Sequence, residues 1–472
     1  MNRHRIGLIL GPVLFCLLYF FPSITDLGDA PRAVLAVTAW VAVWWITEPI
    51  PIAATSLLPL FLLPLSGGTE ESTATMAYAD PIVFMYMGGF TIALAIEKWN
   101  LHKRIAMHII SIIGTSSNRI ILGVGIATAG LSMWISNAAT ALMMLPIALA
   151  LIKEVKEKNF FDDKSFHSFS KGLLLTVAYS ASIGGLATLI GSVPNAALAG
   201  VANRMLDVNI TFANWFMFGF PVSIVMLIAL YFYITKIQFP VADTKNISSD
   251  FAHSQLRGLG KMSKEEKLIL AVFSCTAGLW IFGGFLPFEL TDTTISMIGA
   301  TSLFLIPSFS EKGGLMRWED MKNLPWGLLL LFGGGLSLAA AFEDSDLTSW
   351  FGEILTNLQA FPYLIIIILL SAMVLFMTEI MSNTAVSNML MPISIGLASG
   401  IGVEPYGIMA AVALTSSLAF MLPISTPPNA AVFSADYLEI DDMIKAGFWL
   451  NILGIIVVVL AVYFLQPLVF SF

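Results

Sequence analysis

The sequence predicts an all-α polytopic membrane protein, an inverted-repeat fold with 11 transmembrane helices and two re-entrant hairpins. Three observations carry this. Of 472 residues, 57% are hydrophobic and 11% charged, against about 25% charged in soluble domains, and many apolar runs approach the roughly 20 residues that span a bilayer. Landmarks recur at one spacing: Ser136-Asn137 returns as Ser382-Asn383, 246 positions later. Lys and Arg collect on one predicted side.

Taken in order, the first spanning helix covers about Ile6 to Pro22, after a short basic start, Arg3-His-Arg5. No small-residue cleavage site follows it, so it reads as a span rather than a signal peptide. Helices near Ala33–Ile46 and Ile52–Leu65 are separated by Glu48, Pro49 and Pro51, which break the helical pattern. A fourth, Ile82–Ile96, carries Gly88-Gly89 and leads into Glu97-Lys-Trp-Asn-Leu-His-Lys-Arg104, whose polar and aromatic mix suits an interfacial segment. The stretch of about 111–151 is twice spanning length and is interrupted at Ser136, so it reads as a re-entrant hairpin. The run Gly172–Val201 is interrupted at Gly191-Ser192-Val193-Pro194-Asn195, and Trp215–Ile234 spans again. Residues 1–235 thus form the first repeat, and 236–267, the longest polar segment, a cytoplasmic linker.

The second repeat, 268–472, follows the same order. Spans lie near Leu268–Phe285, Ile295–Ile306 and Trp326–Phe342, and a second hairpin covers about 361–399 with its interruption at Ser382. Tyr406–Ala435 is interrupted at Ser425-Thr426-Pro427-Pro428-Asn429, and Gly447–Leu468 closes the chain. At the spacing of 246, Gly88-Gly89 also matches Gly334-Gly335, Glu97 matches Glu343 and Pro146 matches Pro392. After the polar loop Lys153–Lys171 the spacing becomes 234, and Pro194-Asn195 matches Pro428-Asn429. Internal repeats of this kind are common in secondary transporters.

With a cytoplasmic N-terminus and both hairpins entering and leaving on one side, 21 of the 23 Lys and Arg fall in the cytoplasm; Arg32 and Arg204 do not. Counting either hairpin as two full spans would destroy that bias. The same topology puts the C-terminus outside and makes the repeats inverted. It also places the basic Glu97–Arg104 segment inside and its acidic counterpart, Glu343-Asp-Ser-Asp346, outside.

A net charge of −8 excludes nucleic acid as a partner. Two distant cysteines, Cys16 and Cys275, imply neither a disulfide framework nor a Cys/His metal site. The chemistry therefore rests on the interruptions. Backbone that leaves a helix at membrane depth survives only inside protein or beside an aqueous cavity. There, free carbonyl oxygens can ligate a hard cation, helix N-termini face an anion, and Ser, Thr and Asn add neutral donors and acceptors. An anion so placed needs positive charge. Yet no Lys, Arg or His occurs between Gly172 and Ala202, between Phe361 and Ala435, or in either tip. Co-bound sodium is the simplest source.

The paired Ser-Asn motifs, each followed by a Pro-Asn break, resemble the divalent anion:sodium symporter family of Na+/dicarboxylate and citrate carriers. The resemblance covers nearly the whole chain. It implies a homodimer in which a transport domain moves, elevator-like, against a scaffold domain. It implies one sodium among Ser132, Ser136, Asn137 and the Gly191 carbonyl, and a second among Thr378, Ser382, Asn383 and the Ser425 carbonyl. Substrate carboxylates would meet Asn137, Ser192, Ser382, Asn383, Thr384, Thr426 and Pro427. The departure is Ala138, where the family usually has Thr in the first motif. The implied activity is sodium-coupled import of C4-dicarboxylates such as succinate, malate or fumarate across the inner (plasma) membrane.

Competing readings are weaker. Ser, Thr and Gly also pack membrane helices, but matched pairs followed by matched breaks favour a site. Glu48 and Glu379 tempt as proton carriers; a structural or cavity-lining role is the preferred reading for both. Gly333-Gly-Gly335 fits close helix packing, since no Lys-Ser/Thr follows to make a phosphate loop. A hydrolase using Ser136 or Ser382 would need a positioned base, and the five histidines lie near the N-terminus, at the interface or in loops. A passive channel fits poorly with two closed tips. A sodium-independent exchanger, or the same fold carrying citrate, sulfate or another oxyanion, stays open.

Overall fold

A computed structural model describes residues 3–21, 26–114, 116–241, 249–285 and 290–470. Among the described residues the secondary structure is helical, apart from one isolated antiparallel bridge between Pro307 and Gly314. Seven helices are long and apolar enough to cross a membrane, or eight if Leu347–Ala360 and Tyr363–Thr378, bent by 119° at their junction, count as one broken span. Several of the eleven predicted spans fall short of that test because they are short or interrupted. The predicted Ile52–Leu65 helix, for instance, is two pieces, Ile52–Thr55 and Leu58–Ser66. Pro59 has no N–H to offer the Thr55 carbonyl and disfavours helix in the residue before it. Pro22 and linker residues 242–248 lie outside the described residues; the rest of the linker holds a helix, Ser249–Gly258. The last span starts earlier than predicted, at Ile440, where Glu439 and Asp442 form a reciprocal capping box.

Besides Phe212–Phe232 and Ile440–Leu460, most of the long helices fall into two groups. One contains Arg3–Phe20, Asp29–Thr47, Pro81–Lys98, Lys264–Phe282, Asp292–Leu305 and Trp326–Asp344. Its close contacts use glycine, as expected where lipid supplies no hydrophobic drive and van der Waals fit decides. A Cβ on Gly334 would lie 2.6 Å from the Ser56 carbonyl oxygen, and one on Gly335, facing the other group, would lie 2.6 Å from Cγ of Asn388 on helix Asn383–Ile401. Gly333-Gly-Gly335 is therefore a packing element. The other group contains both helix–turn–helix hairpins, Ser117–Ser132 with Asn137–Glu157 and Tyr363–Thr378 with Asn383–Ile401. It also contains the two broken helices, Asp163–Gly185 with Val193–Leu206 and Pro405–Ser416 with Pro427–Phe433.

Amphipathic helices join the groups. Leu101–Ile113 packs on the first hairpin and Leu347–Leu355 on the second. Each begins after a left-handed residue, Asn100 (φ 56°) and Asp346 (φ 60°), and these stand at the repeat spacing of 246. The first hairpin therefore starts and ends later than predicted, running from Ser117 to Glu157: Gly114, at φ 122°, separates the interfacial helix from the hairpin arm. Buried Arg104 fixes this helix, pairing with Glu266 at 2.7 Å and donating to the Gly260 carbonyl at 3.0 Å.

Candidate functional site

Each hairpin turns over in four residues, Met133–Ser136 and Glu379–Ser382, and the second arm starts at the motif asparagine. Ser136 caps its arm, accepting from the Ala139 N–H at 3.3 Å. Behind each tip a buried hydroxyl holds the asparagine. Ser132 Oγ is 2.7 Å from Asn137 Oδ1, and Thr378 Oγ1 is 2.6 Å from Asn383 Oδ1. The same hydroxyls reach the adjoining broken helices, at the carbonyls of Ala181 (2.7 Å) and Ser416 (2.9 Å).

The breaks are organised in the same way as each other. Asn195 donates its amide to the carbonyls of Gly185 (2.9 Å) and Thr188 (2.8 Å). Asn429 donates to those of Ala419 (3.2 Å) and Leu422 (3.1 Å), positions equivalent at the 234 spacing. A buried amide thus satisfies carbonyls that the interrupted helix leaves without partners. Pro194 and Pro427 stand where each helix restarts, positions where a missing N–H costs nothing. Ser192 and Ser417 join the two breaks by a 2.7 Å hydroxyl pair.

Glu379 has no acidic counterpart in the first repeat, where Met133 stands. It is 3% exposed. Its carboxylate accepts from the backbone N–H groups of Phe420 (2.8 Å), Met421 (2.9 Å) and Leu422 (3.2 Å), from Asn451 Nδ2 (2.6 Å) and from the Ser425 hydroxyl (2.5 Å). That donor set makes it a clamp between the second tip and the second break, the structural role preferred from sequence.

Tips and breaks converge on one cavity of about 520 Å3. Its wall includes Ser136, Asn137, Ala138, Gly191 and Ser192 from the first repeat, and Ser382, Asn383, Thr384, Ser425, Thr426 and Pro427 from the second. All seven residues expected to meet substrate line it. Of the eight expected around sodium, Ser132 and Thr378 lie behind the tips, fully buried, and the other six are in the wall. Glu48 reaches the rim. Among the described residues lining the cavity none is Lys, Arg or His. Sequence reasoning missed the opposite wall, made by Ile52, Tyr86, Phe90 and Leu328. The Gly88-Gly89 repeat landmark next to Tyr86 was the available signal.

Three oxygens converge on the Asn137 side chain. Asn137 Oδ1 points at acceptors, with Ser132 Oγ 2.7 Å away, the Ala181 carbonyl 3.1 Å and the Gly191 carbonyl 3.2 Å. Turning the amide over would make these hydrogen bonds from nitrogen, so the pocket serves either a cation or an amide N–H2. Backbone crowds in to form it: a Cβ on Gly185 would lie 2.5 Å from Asn137 Oδ1 and 2.9 Å from the Gly191 carbonyl oxygen. Only glycine permits that approach.

The chain matches known proteins along its length. It is similar to the sodium-dependent dicarboxylate transporter SdcS of Staphylococcus saprophyticus, at 44% identity over 98% of this chain and 91% of that protein. SdcS of Staphylococcus aureus strain USA300 is 42% identical over the same shares. Among solved structures, the fold resembles the Alcanivorax borkumensis YdaH transporter (TM-score 0.63, 13% identity, 99% of this chain and 100% of that one). It also resembles Neisseria gonorrhoeae MtrF (TM-score 0.58, 11% identity, 97% and 94%). A family model described as the sodium:sulfate symporter transmembrane region matches residues 3–471. By that match, and by SdcS relatives above 40% identity, the chain belongs to the sodium:sulfate symporter family, the divalent anion:sodium symporters.

Proposed function

We propose that this protein is a secondary active transporter that couples inward sodium movement to import of C4-dicarboxylates such as succinate, malate and fumarate. The observation that carries the reading is a cavity walled by two asparagine tips and two helix breaks, with no cationic side chain among the described residues that line it. A dianion there needs positive charge from outside the chain. Sodium supplies it, one ion among Ser132, Ser136, Asn137 and the Gly191 carbonyl, another among Thr378, Ser382, Asn383 and the Ser425 carbonyl. The carboxylates take Asn137, Ser192, Ser382, Asn383, Thr384, Thr426 and Pro427. Coupling follows: without sodium the site repels its substrate, so the empty or fully loaded carrier moves and the half-loaded one does not. The names of the SdcS relatives support both cargo and ion.

In this reading the group bearing hairpins and breaks is the transport domain. It slides against the scaffold on the two amphipathic helices, across eleven spans in the inner (plasma) membrane, as a homodimer. The N-terminus is cytoplasmic and the C-terminus external. Glu48 and Leu328, at ends of scaffold helices that the charge bias assigns to the cytoplasm, line the cavity. Uptake of labelled succinate into vesicles, with and without an inward sodium gradient, tests the proposal. Gradient-dependent accumulation is expected; equal uptake in both would favour a sodium-independent exchanger. A second reading keeps fold and coupling but changes the cargo to citrate, sulfate or another oxyanion. Ala138 favours it, since that wall position carries no hydroxyl. Competition by an anion panel separates the two.

A further inference from the structure

Repeat-related parts of the site are not in equivalent surroundings. Ile190, in the first break, borders the cavity but is only 4% exposed; its repeat mate Ile424, in the second break, also borders the cavity and is 70% exposed. The first break is thus sealed against the scaffold while the second is open. The seal has a specific polar contact. Tyr86, on scaffold helix Pro81–Lys98, is fully buried, and its hydroxyl donates to the Ser192 carbonyl at 2.9 Å and is also within reach of the Leu189 carbonyl. Those carbonyls flank Gly191. One helical turn along, Gly89 stands against Ile190, where a Cβ would make an ordinary contact at 3.4 Å.

The repeat mate of Tyr86 is Phe332, on scaffold helix Trp326–Asp344. The two rings are in contact, centroids 4.6 Å apart and planes tilted by 58°, where the two scaffold helices meet. Inverted symmetry gives the other orientation of the carrier. There Phe332 would face the second break, at the carbonyls of Pro423 and Thr426, the repeat mates of Leu189 and Ser192. A phenyl ring has no proton to donate. The hydroxyl therefore stabilises one orientation and has no counterpart in the other.

We infer that Tyr86 is a positioning residue that latches the first break to the scaffold, biasing the carrier towards the orientation with the second break open. The inference rests on the proposed sliding of the transport domain. One net hydrogen bond shifts a two-state equilibrium roughly three- to tenfold. Tyr86→Phe removes the latch; Phe332→Tyr supplies the missing one to the opposite orientation.

The test uses the full chain in detergent with Cys16 and Cys275 replaced by serine, and a single reporter, Ile190→Cys or Ile424→Cys. The initial rate of labelling by a polar maleimide reports which break is open. In the parent, the Cys at 424 should label fast and the Cys at 190 slowly. Tyr86→Phe should slow labelling at 424 and speed it at 190, each by roughly three- to tenfold; Phe332→Tyr should move both further in the same sense. Unchanged rates in both variants, with the parent's two rates still responding to sodium plus succinate, would overturn the latch alone. If the parent's rates do not respond to sodium and succinate, the two-orientation reading falls and the latch with it. If Tyr86→Phe fails to fold, judged by its melting curve, Phe332→Tyr decides: no change in either rate overturns the inference.

Discussion

At the scale of single residues, the motif asparagines carry the most consequence for the least structure. Asn383 loses one hydrogen bond on truncation, that from Thr378, about 1 kcal/mol. Asn383→Ala should therefore keep a near-parental melting temperature while uptake vanishes; normal uptake would misplace the site. Glu379 is the opposite case. Glu379→Gln sets an amide N–H2 against a cluster of N–H donors, at about 1–3 kcal/mol per donor left unpaired. The melting temperature should fall and sodium affinity with it, through distortion of the Ser425 region. A variant as stable as the parent would refute the clamp. Ala138→Thr places a hydroxyl in the cavity wall and should change the ranking of competing anions in uptake assays; an unchanged ranking would make that position irrelevant to selectivity. The motif residues were legible because they are polar islands in apolar runs. Tyr86 and Asn451 were not, since nothing in the sequence says which break each one meets.

At the scale of elements, the breaks were legible from Pro-Asn pairs and the hairpins from runs too long for one span and too charge-biased for two. Their internal bracing was not. The sequence does not disclose that Asn195 and Asn429 hold carbonyls of the helix just ended, because that depends on the chain folding back within ten residues. Boundaries drifted where local chemistry overrode hydropathy, as at Pro59 and Gly114. Close approach at the first break gives a sharp test. Gly185→Ala would press a methyl group into Asn137 and the Gly191 carbonyl, an overpacking cost of about 1–3 kcal/mol. Sodium dependence of uptake should shift to higher sodium concentrations, which a titration of initial rates reads directly. An unshifted curve would mean that Asn137 and the Gly191 carbonyl take no part in holding sodium.

At the scale of the whole molecule, the repeat spacing organised the reading, and it is visible in three dimensions as matched tips, matched breaks and matched left-handed residues at Asn100 and Asp346. Exposure of Ile190 against Ile424 could not be foreseen, since symmetry in sequence is silent on which of two orientations a carrier adopts. The central physical claim is that metal ions, not side chains, neutralise the anion. It is tested most directly by equilibrium binding of labelled succinate to purified protein across a sodium titration, with choline holding ionic strength constant. Binding is expected to be negligible in choline and to rise steeply with sodium, with a Hill coefficient above one; equal affinity for succinate in choline and in sodium would contradict it.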